Sequence, residues 1–227
     1  MSIKHLPYKN TGYFSSLMVD YLAEKEALAS FYHRFPVIDN FKAQIAEKSR
    51  SFKKKNRKVL VASLNKQYQG FDISEATKSN INSLLSDHTY TITTGHQLNL
   101  FTGPLYFLYK IVSAIKLSEQ LNKKHSNQHF VPVYWMATED HDFEEINYFN
   151  LNKEKICWDH EGGGAVGALN TDGFEELLAT LKTKIGVSEN AKKLISLFSE
   201  AYLQHNNLSD ATRYLAQQLF AEYGLVI

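Results

Sequence analysis

Two short stretches of this 227-residue chain hold the side chains best suited to chemistry, and each follows a run that reads as a β-strand. The first is Thr94-Gly95-His96-Gln97-Leu98-Asn99-Leu100-Phe101-Thr102-Gly103-Pro104-Leu105-Tyr106. A glycine-containing connection entering a helix presents unpaired N–H groups and a positive dipole end, which suits phosphate. His96, Gln97, Asn99 and Thr102 add polar groups able to orient a nucleotide or its leaving pyrophosphate. Gly-Pro is also an ordinary helix start, so a purely structural reading stands beside this one. The second stretch, Ala137–Glu145, packs five carboxylates and a histidine into its last seven residues. At a strand end such a cluster can bind an amine, a ribose hydroxyl or Mg²⁺. Its competing account is a charged helix start, where acids complement the dipole, with His141 as a structural hydrogen-bonding residue.

Two other motifs carry less. Cys157-x-x-His160 has a spacing found in some metal sites, and His96 or His141 could join it. Cys157 falls in an expected strand, however, and a zinc site needs four ligands, so no metal site is expected. Gly162-Gly163-Gly164-Ala165-Val166-Gly167 lacks the strand–turn–helix context of a dinucleotide fingerprint and reads as a hairpin or bulge.

The elements that must position these residues follow from periodicity. Helical spacing of apolar residues covers 14–33 and 39–68, and Asp72 or Ser74 can cap a third helix ending near Asp87. The basic run Lys48–Lys58 reads as a solvated helix face or turn rather than a phosphate track. Tyr90–Thr94 is β-branched and meets Gly95, a strand running into a turn. Pro104 suits the first position of a helix that ends near Lys123-Lys124. Phe130–Met136 is a strand apolar on both faces, as when helices cover both sides of a parallel sheet. Strand, helix and strand in that order form a right-handed crossover, and ligands bind outside the carboxyl ends of such strands. Beyond it, 144–170 reads as a short helix with strands at 155–158 and 165–169. Three helices follow, one from Asp172-x-x-Glu175 to Gly186 and others starting at Ser188 and Ser209. Leu225-Val226-Ile227 reads as a further core strand, and a stop inside it suggests a longer chain.

Composition bounds the partners. Lys and Arg number 25 against 24 Asp and Glu, a net charge of +1 that offers no field for nucleic acid or anionic membrane. The 44% hydrophobic content supports a substantial core, and no apolar stretch reaches the roughly 20 residues of a membrane span. Met1-Ser2-Ile3-Lys4-His5 leads into no apolar segment of a secretory signal. A single cysteine excludes an intrachain disulfide and fits a reducing cytoplasm.

Together the two stretches resemble a known family. Thr94-Gly95-His96-Gln97, Phe101–Tyr106 and Tyr109-Lys110 resemble its Thr-Gly-Gln-Gln, Phe-x-Gly-Gly-Pro-Leu-Tyr and Tyr-Lys. Val131–Asn147 resembles its Val-Pro-Val-Phe-Trp-x-Ala-x-Glu-Asp-His-Asp-Phe-x-Glu-x-Asn. These are signatures of the cysteine-adding ligases of bacillithiol synthesis, whose N-terminal half this chain resembles throughout, most strongly over 92–147. The resemblance implies an α/β Rossmann-like nucleotidyltransferase core, akin to class I aminoacyl-tRNA synthetases. It implies a helical segment over 1–88, the first half of the core over 89–147, an insertion over 148–208 and a return to the core over 209–227. A coiled coil would lie beyond Ile227, leaving a homodimer through that part open.

The implied activity is the ATP-dependent joining of L-cysteine to glucosaminyl-malate, the final step of the pathway, with Mg²⁺ as an optional companion of ATP. His96, Glu139, His141 and Asp142 are then the catalytic candidates. Gly95, Gln97, Asn99, Gly103, Tyr106 and Lys110 would face the nucleotide, and Glu139 and Asp140 the amine-bearing substrate. The two histidines of the related synthetase signature fall on Tyr106 and Tyr109, so His96 or Lys110 must substitute. Residues 1–227 alone are expected to be inactive. Another nucleotidyltransferase of the same fold, or a non-catalytic nucleotide-binding or assembly module, are the alternative readings.

Overall fold

The computed structural model describes residues 4–227, leaving Met1–Ile3, where the expected lack of a signal segment begins, outside the described residues. The chain divides between Ser51 and Phe52 into two compact units. In the first, helices α1 (Ser16–Leu22) and α2 (Phe41–Ser51) accompany three short 3₁₀ turns. The long helix expected over 14–33 stops at Leu22, because Glu24 takes a left-handed backbone (φ 51°) that a helix cannot continue. Tyr21, Tyr32 and Phe35 then pack ring against ring, with centroids 5.2–6.1 Å apart.

The second unit is organised by strands β1 (Thr89–Gln97) and β2 (His129–Ala137), joined by α5 (Leu105–Lys124). They pair in parallel without offset, from Thr89 opposite His129 to Gln97 opposite Ala137. Gly95 is therefore not a turn: it lies within the strand, opposite Trp135, and the strand runs on through His96 and Gln97. On the far side of β2, Val226 bridges Val133, its N–H donating to Pro132 O and its carbonyl accepting from Tyr134 N. Leu225–Ile227 thus extends the sheet as an isolated bridge.

Helices cover both faces. Helices α3 (Lys54–Gln67) and α4 (Glu75–Ser83) set Val61, Tyr68 and Ile81 against Val131 and Val226. On the other face α5 and α9 (Leu208–Phe220) bring Phe107, Ile111 and Ala216 onto Tyr134, Leu225 and Ile227. Burying each such large apolar side chain contributes about 1.5–3 kcal/mol. Ser74 caps α4 by accepting from Thr77 N, as its type and position require. Within the basic run, Arg57 alone is buried; it donates to Leu84 O and Thr89 O and so fixes the entry into β1.

Between β2 and α9 the chain departs further from its periodicity. After α6 (Phe143–Ile146), the hairpin is β3 (Tyr148–Leu151) with β4 (Glu154–Cys157), turned by Asn152 and Lys153, both at positive φ. The strand expected at 165–169 is instead a 3₁₀ turn at Val166–Ala168 that packs beneath α9. Its small residues are selected by that contact: a Cβ on Gly167 would lie 2.3 Å from Ser209 Oγ and 2.8 Å from Thr138 O. Helix α7 (Phe174–Lys184) starts after left-handed Gly173, one residue past the expected Asp172 cap. Helix α8 (Glu189–Leu203) is capped by Ser188 as expected, whereas Asn207 rather than Ser209 caps α9.

Candidate functional site

Because β1 and β2 are parallel neighbours in register, the connections that leave them open on the same edge of the sheet. The first connection alternates strictly. Leu98 and Leu100 are fully buried in the core around α7, α8 and α9, while Gln97 and Asn99 between them stay half-buried. Phe101 then adopts φ 57°, held where its N–H donates to Tyr202 Oη at 2.7 Å. Tyr202 lies stacked on Phe174 with ring centroids 4.2 Å apart. Gly103, also at positive φ (56°), brings the chain back to α5, and a Cβ there would meet Asn99 Cβ at 2.5 Å. Only glycine fits that return. Pro104 precedes α5 as its cap rather than its first helical residue.

This connection lines a cavity of about 1070 Å³. Gln97 and Asn99 contribute polar groups to it, and Thr102, Gly103 and Tyr106 bring in the start of α5. Glu145, Tyr148 and Asn150 join the lining from the segment after β2, over an apolar interior that includes Leu108, Phe198 and Leu219. Gln97 Nε2 donates to Glu145 Oε2 at 3.0 Å, a direct bond between the two connections. Glu145 reaches it because α6 anchors on its apolar residues: Ile146 is buried and Phe143 packs on Trp158, which leaves Glu144 and Glu145 facing out.

His96 is more deeply placed. It is 7% exposed, and its ring lies between Tyr106 and Phe107. Its Nδ1 sits 2.8 Å from Gln97 O and 3.0 Å from Asn99 Nδ2, while Asn99 Nδ2 also donates to Gln97 O. With Nδ1–H donating to that carbonyl, Nε2 keeps its lone pair. Burial, with Lys110 nearby, holds the imidazole below its ordinary range against the opposing pull of the Gln97 carbonyl, so the ring is neutral at pH 7. His96 does not line the cavity; it ties down the Gln97 carbonyl, to which Asn99 Nδ2 also donates, and Gln97 and Asn99 do line it. Lys110 donates to Gly95 O at 3.0 Å and stands near the Tyr106 ring.

The acidic stretch sits at the same sheet edge in another setting. Thr138 and Asp140 carbonyls accept from Gly167 and Val166 N–H, and Asp140 Oδ1 accepts from Asp142 N. Glu139, His141 and Asp142 are exposed, Asp140 is half-buried, and none of the four lines the cavity with Gln97. The nucleotide candidates Gln97 and Asn99 therefore share their cavity with Glu145 and not with the substrate candidates Glu139 and Asp140. The legible signal for Glu145 was the pair Phe143-x-x-Ile146, whose helical spacing turns both apolar residues inward. Tyr148, Asn150 and Tyr202 carried no such signal.

Cys157 is exposed, and both His160 nitrogens are occupied, one accepting from Gly162 N and the other bonding Asn170 Oδ1. Among the described residues no group of His, Cys, Asp and Glu is arranged to hold a metal, and no helix is long and apolar enough to cross a membrane.

Comparison with known proteins agrees with this architecture. The family described as "Bacillithiol biosynthesis BshC, N-terminal Rossmann-like domain" matches residues 1–227. Relatives bearing the name of a cysteine ligase, BshC, include one from Flavobacterium johnsoniae, 55% identical across 98% of this chain. Another, from Christiangramia forsetii, is 54% identical across 98% of it, and one from Bacillus cereus is 26% identical across its whole length. The chain spans 42% of the length of each of these relatives. A register-matched parallel pair with its crossover helix, and a match along the whole chain, establish that this chain belongs to the family of the BshC N-terminal Rossmann-like domain.

Proposed function

We propose that this chain is the N-terminal part of an ATP-dependent ligase that joins the carboxyl group of L-cysteine to the amine of glucosaminyl-malate, the last step of bacillithiol synthesis, in the cytoplasm. The observation that carries the reading is the bond from Gln97 to Glu145 in the lining of a cavity at the start of α5, built from both connections of a Rossmann-like crossover. Activation by adenylation accounts for the ATP. The cysteine carboxylate attacks the α-phosphorus and pyrophosphate leaves; the acceptor amine then attacks the acyl carbon, loses a proton and expels AMP.

Positioning and charge neutralisation supply most of the acceleration in such a sequence. In this reading the first N–H groups of α5, after Gly103, meet phosphate oxygens, with Tyr106 beside them and Lys110 and Gly95 at the rim. His96, neutral and buried, acts by holding the Gln97 backbone in place, on which Asn99 also rests. Glu139, Asp140, His141 and Asp142 approach the substrates from the same sheet edge, or accompany Mg²⁺ on the nucleotide. Residues 1–227 alone are inactive in this proposal, because the chain spans less than half the length of its relatives.

The test is amide formation by the full-length protein from cysteine, glucosaminyl-malate and ATP, followed by mass spectrometry with AMP and pyrophosphate quantified. Product that depends on ATP and releases AMP supports the proposal. Product without nucleotide, or ATP cleavage to ADP, removes the adenylation step. No amide under any of these conditions removes the ligase reading.

A further inference from the structure

Resting on the ligase reading, the charge pattern of the cavity goes further and assigns its ends to different ligands. Among the described residues, Glu145 is the single charged one in the lining. Its bond from Gln97 uses one carboxylate oxygen; among the described residues the other oxygen, and the side-chain amide oxygen of Gln97, have no protein partner. These two open acceptors, one of them anionic, suit a donor that carries positive charge. Tyr106 and Tyr148 add ring faces, and Lys155 Nζ lies 3.9 Å from the Tyr148 centroid, which shows that this ring accepts an ammonium. The lysines Lys110 and Lys155 stand against these rings without lining the cavity. Behind the polar side the interior is apolar, with Leu108, Val112, Leu194, Phe198 and Leu219. Such a lining disfavours a polyanion beside Glu145 and accepts a short apolar or thiol-bearing stem.

We propose that the Glu145–Gln97 pair is the anchor for the primary ammonium group of a small amino-acid substrate, so that this end of the cavity receives that substrate while phosphates stay at the start of α5. Glu145 is then a binding residue and Gln97 positions it.

Cysteamine and its neutral counterpart 2-mercaptoethanol test this directly, titrated under reducing conditions into full-length protein and into Glu145→Gln, with binding followed by NMR or calorimetry. Glu145 is exposed, so the variant folds. Cysteamine should bind wild type at least about tenfold more tightly, as a charge-assisted hydrogen bond implies, and Glu145→Gln should erase the difference. Equal affinities in wild type, a preference that survives in Glu145→Gln, or no binding of either thiol overturns the assignment. An ammonium preference in a protein that forms no amide removes the ligase reading alone; amide formation with unchanged cysteine KM in Glu145→Gln removes this assignment alone.

Discussion

The two connections that leave the sheet side by side are held by different means. Residues 97–104 are fixed by side chains: Leu98 and Leu100 sink into the core, Tyr202 grips the Phe101 N–H, and the polar residues between them are left facing a cavity. Residues 138–142 are fixed mainly by backbone: Val166 and Gly167 N–H groups hold the Asp140 and Thr138 carbonyls, and the Glu139 and Asp142 carboxylates are exposed. The difference teaches that abundance of charge does not locate a site. Buried anchors at alternate positions aim the residues between them, whereas a loop held only by its main chain leaves its side chains free.

That contrast can be broken at its strongest point first. Tyr202→Ala removes a fully buried ring stacked on Phe174 and the acceptor of the Phe101 N–H, and should cost about 3–5 kcal/mol. Tyr202→Phe keeps the ring and strands that N–H, for about 1–3 kcal/mol. Denaturant unfolding measures both. A Tyr202→Phe protein as stable as wild type would mean that the first connection does not depend on this anchor.

Acid should weaken the strand pair at both of its ends. Burial lowers the folded-state affinity of His96, and of His129 at the start of β2, for a proton. The unfolded chain therefore binds more protons, and stability rises with pH. The contribution is complete above the ordinary histidine range and is lost as pH falls through the lowered folded values. His96→Gln should flatten the dependence of unfolding free energy on pH below about 6.5, the ordinary imidazole value. An unchanged slope would show that His96 titrates as if exposed.

The smallest effect belongs to the second connection. Glu139→Gln and Asp142→Asn alter exposed side chains and should leave stability within about 0.5 kcal/mol. In the proposed reaction each should reduce kcat/KM by less than Glu145→Gln does. A larger loss from Glu139→Gln would return the substrate contact to the acidic stretch.

Much of this was legible in sequence. The β-branched run at Tyr90–Thr94, the doubly apolar Phe130–Met136 and the amphipathic segment between them announced a crossover, because strand and helix periods are local properties of the side chains. Ser74 and Ser188 announced helix starts for the same reason: a hydroxyl accepting from an N–H three residues ahead is a local event. Gly95 misled because its neighbours suggested a turn, whereas pairing opposite Trp135 kept it in the strand. Ala165–Leu169 misled because its apolar run resembled a strand, whereas the crowding of Gly167 between Thr138 and Ser209 imposed a 3₁₀ turn.

By itself, then, the sequence determined the crossover, the sheet edge at which both polar stretches emerge, and the resemblance those stretches carry. Only the tertiary structure decided which acid meets Gln97. Residues 97 and 145 lie 48 positions apart, and their 3.0 Å bond depends on the strand register, the anchoring of α6 through Ile146, and the packing of Tyr202 from α8 under the first connection. Each is a contact between distant segments, and no local spacing encodes it.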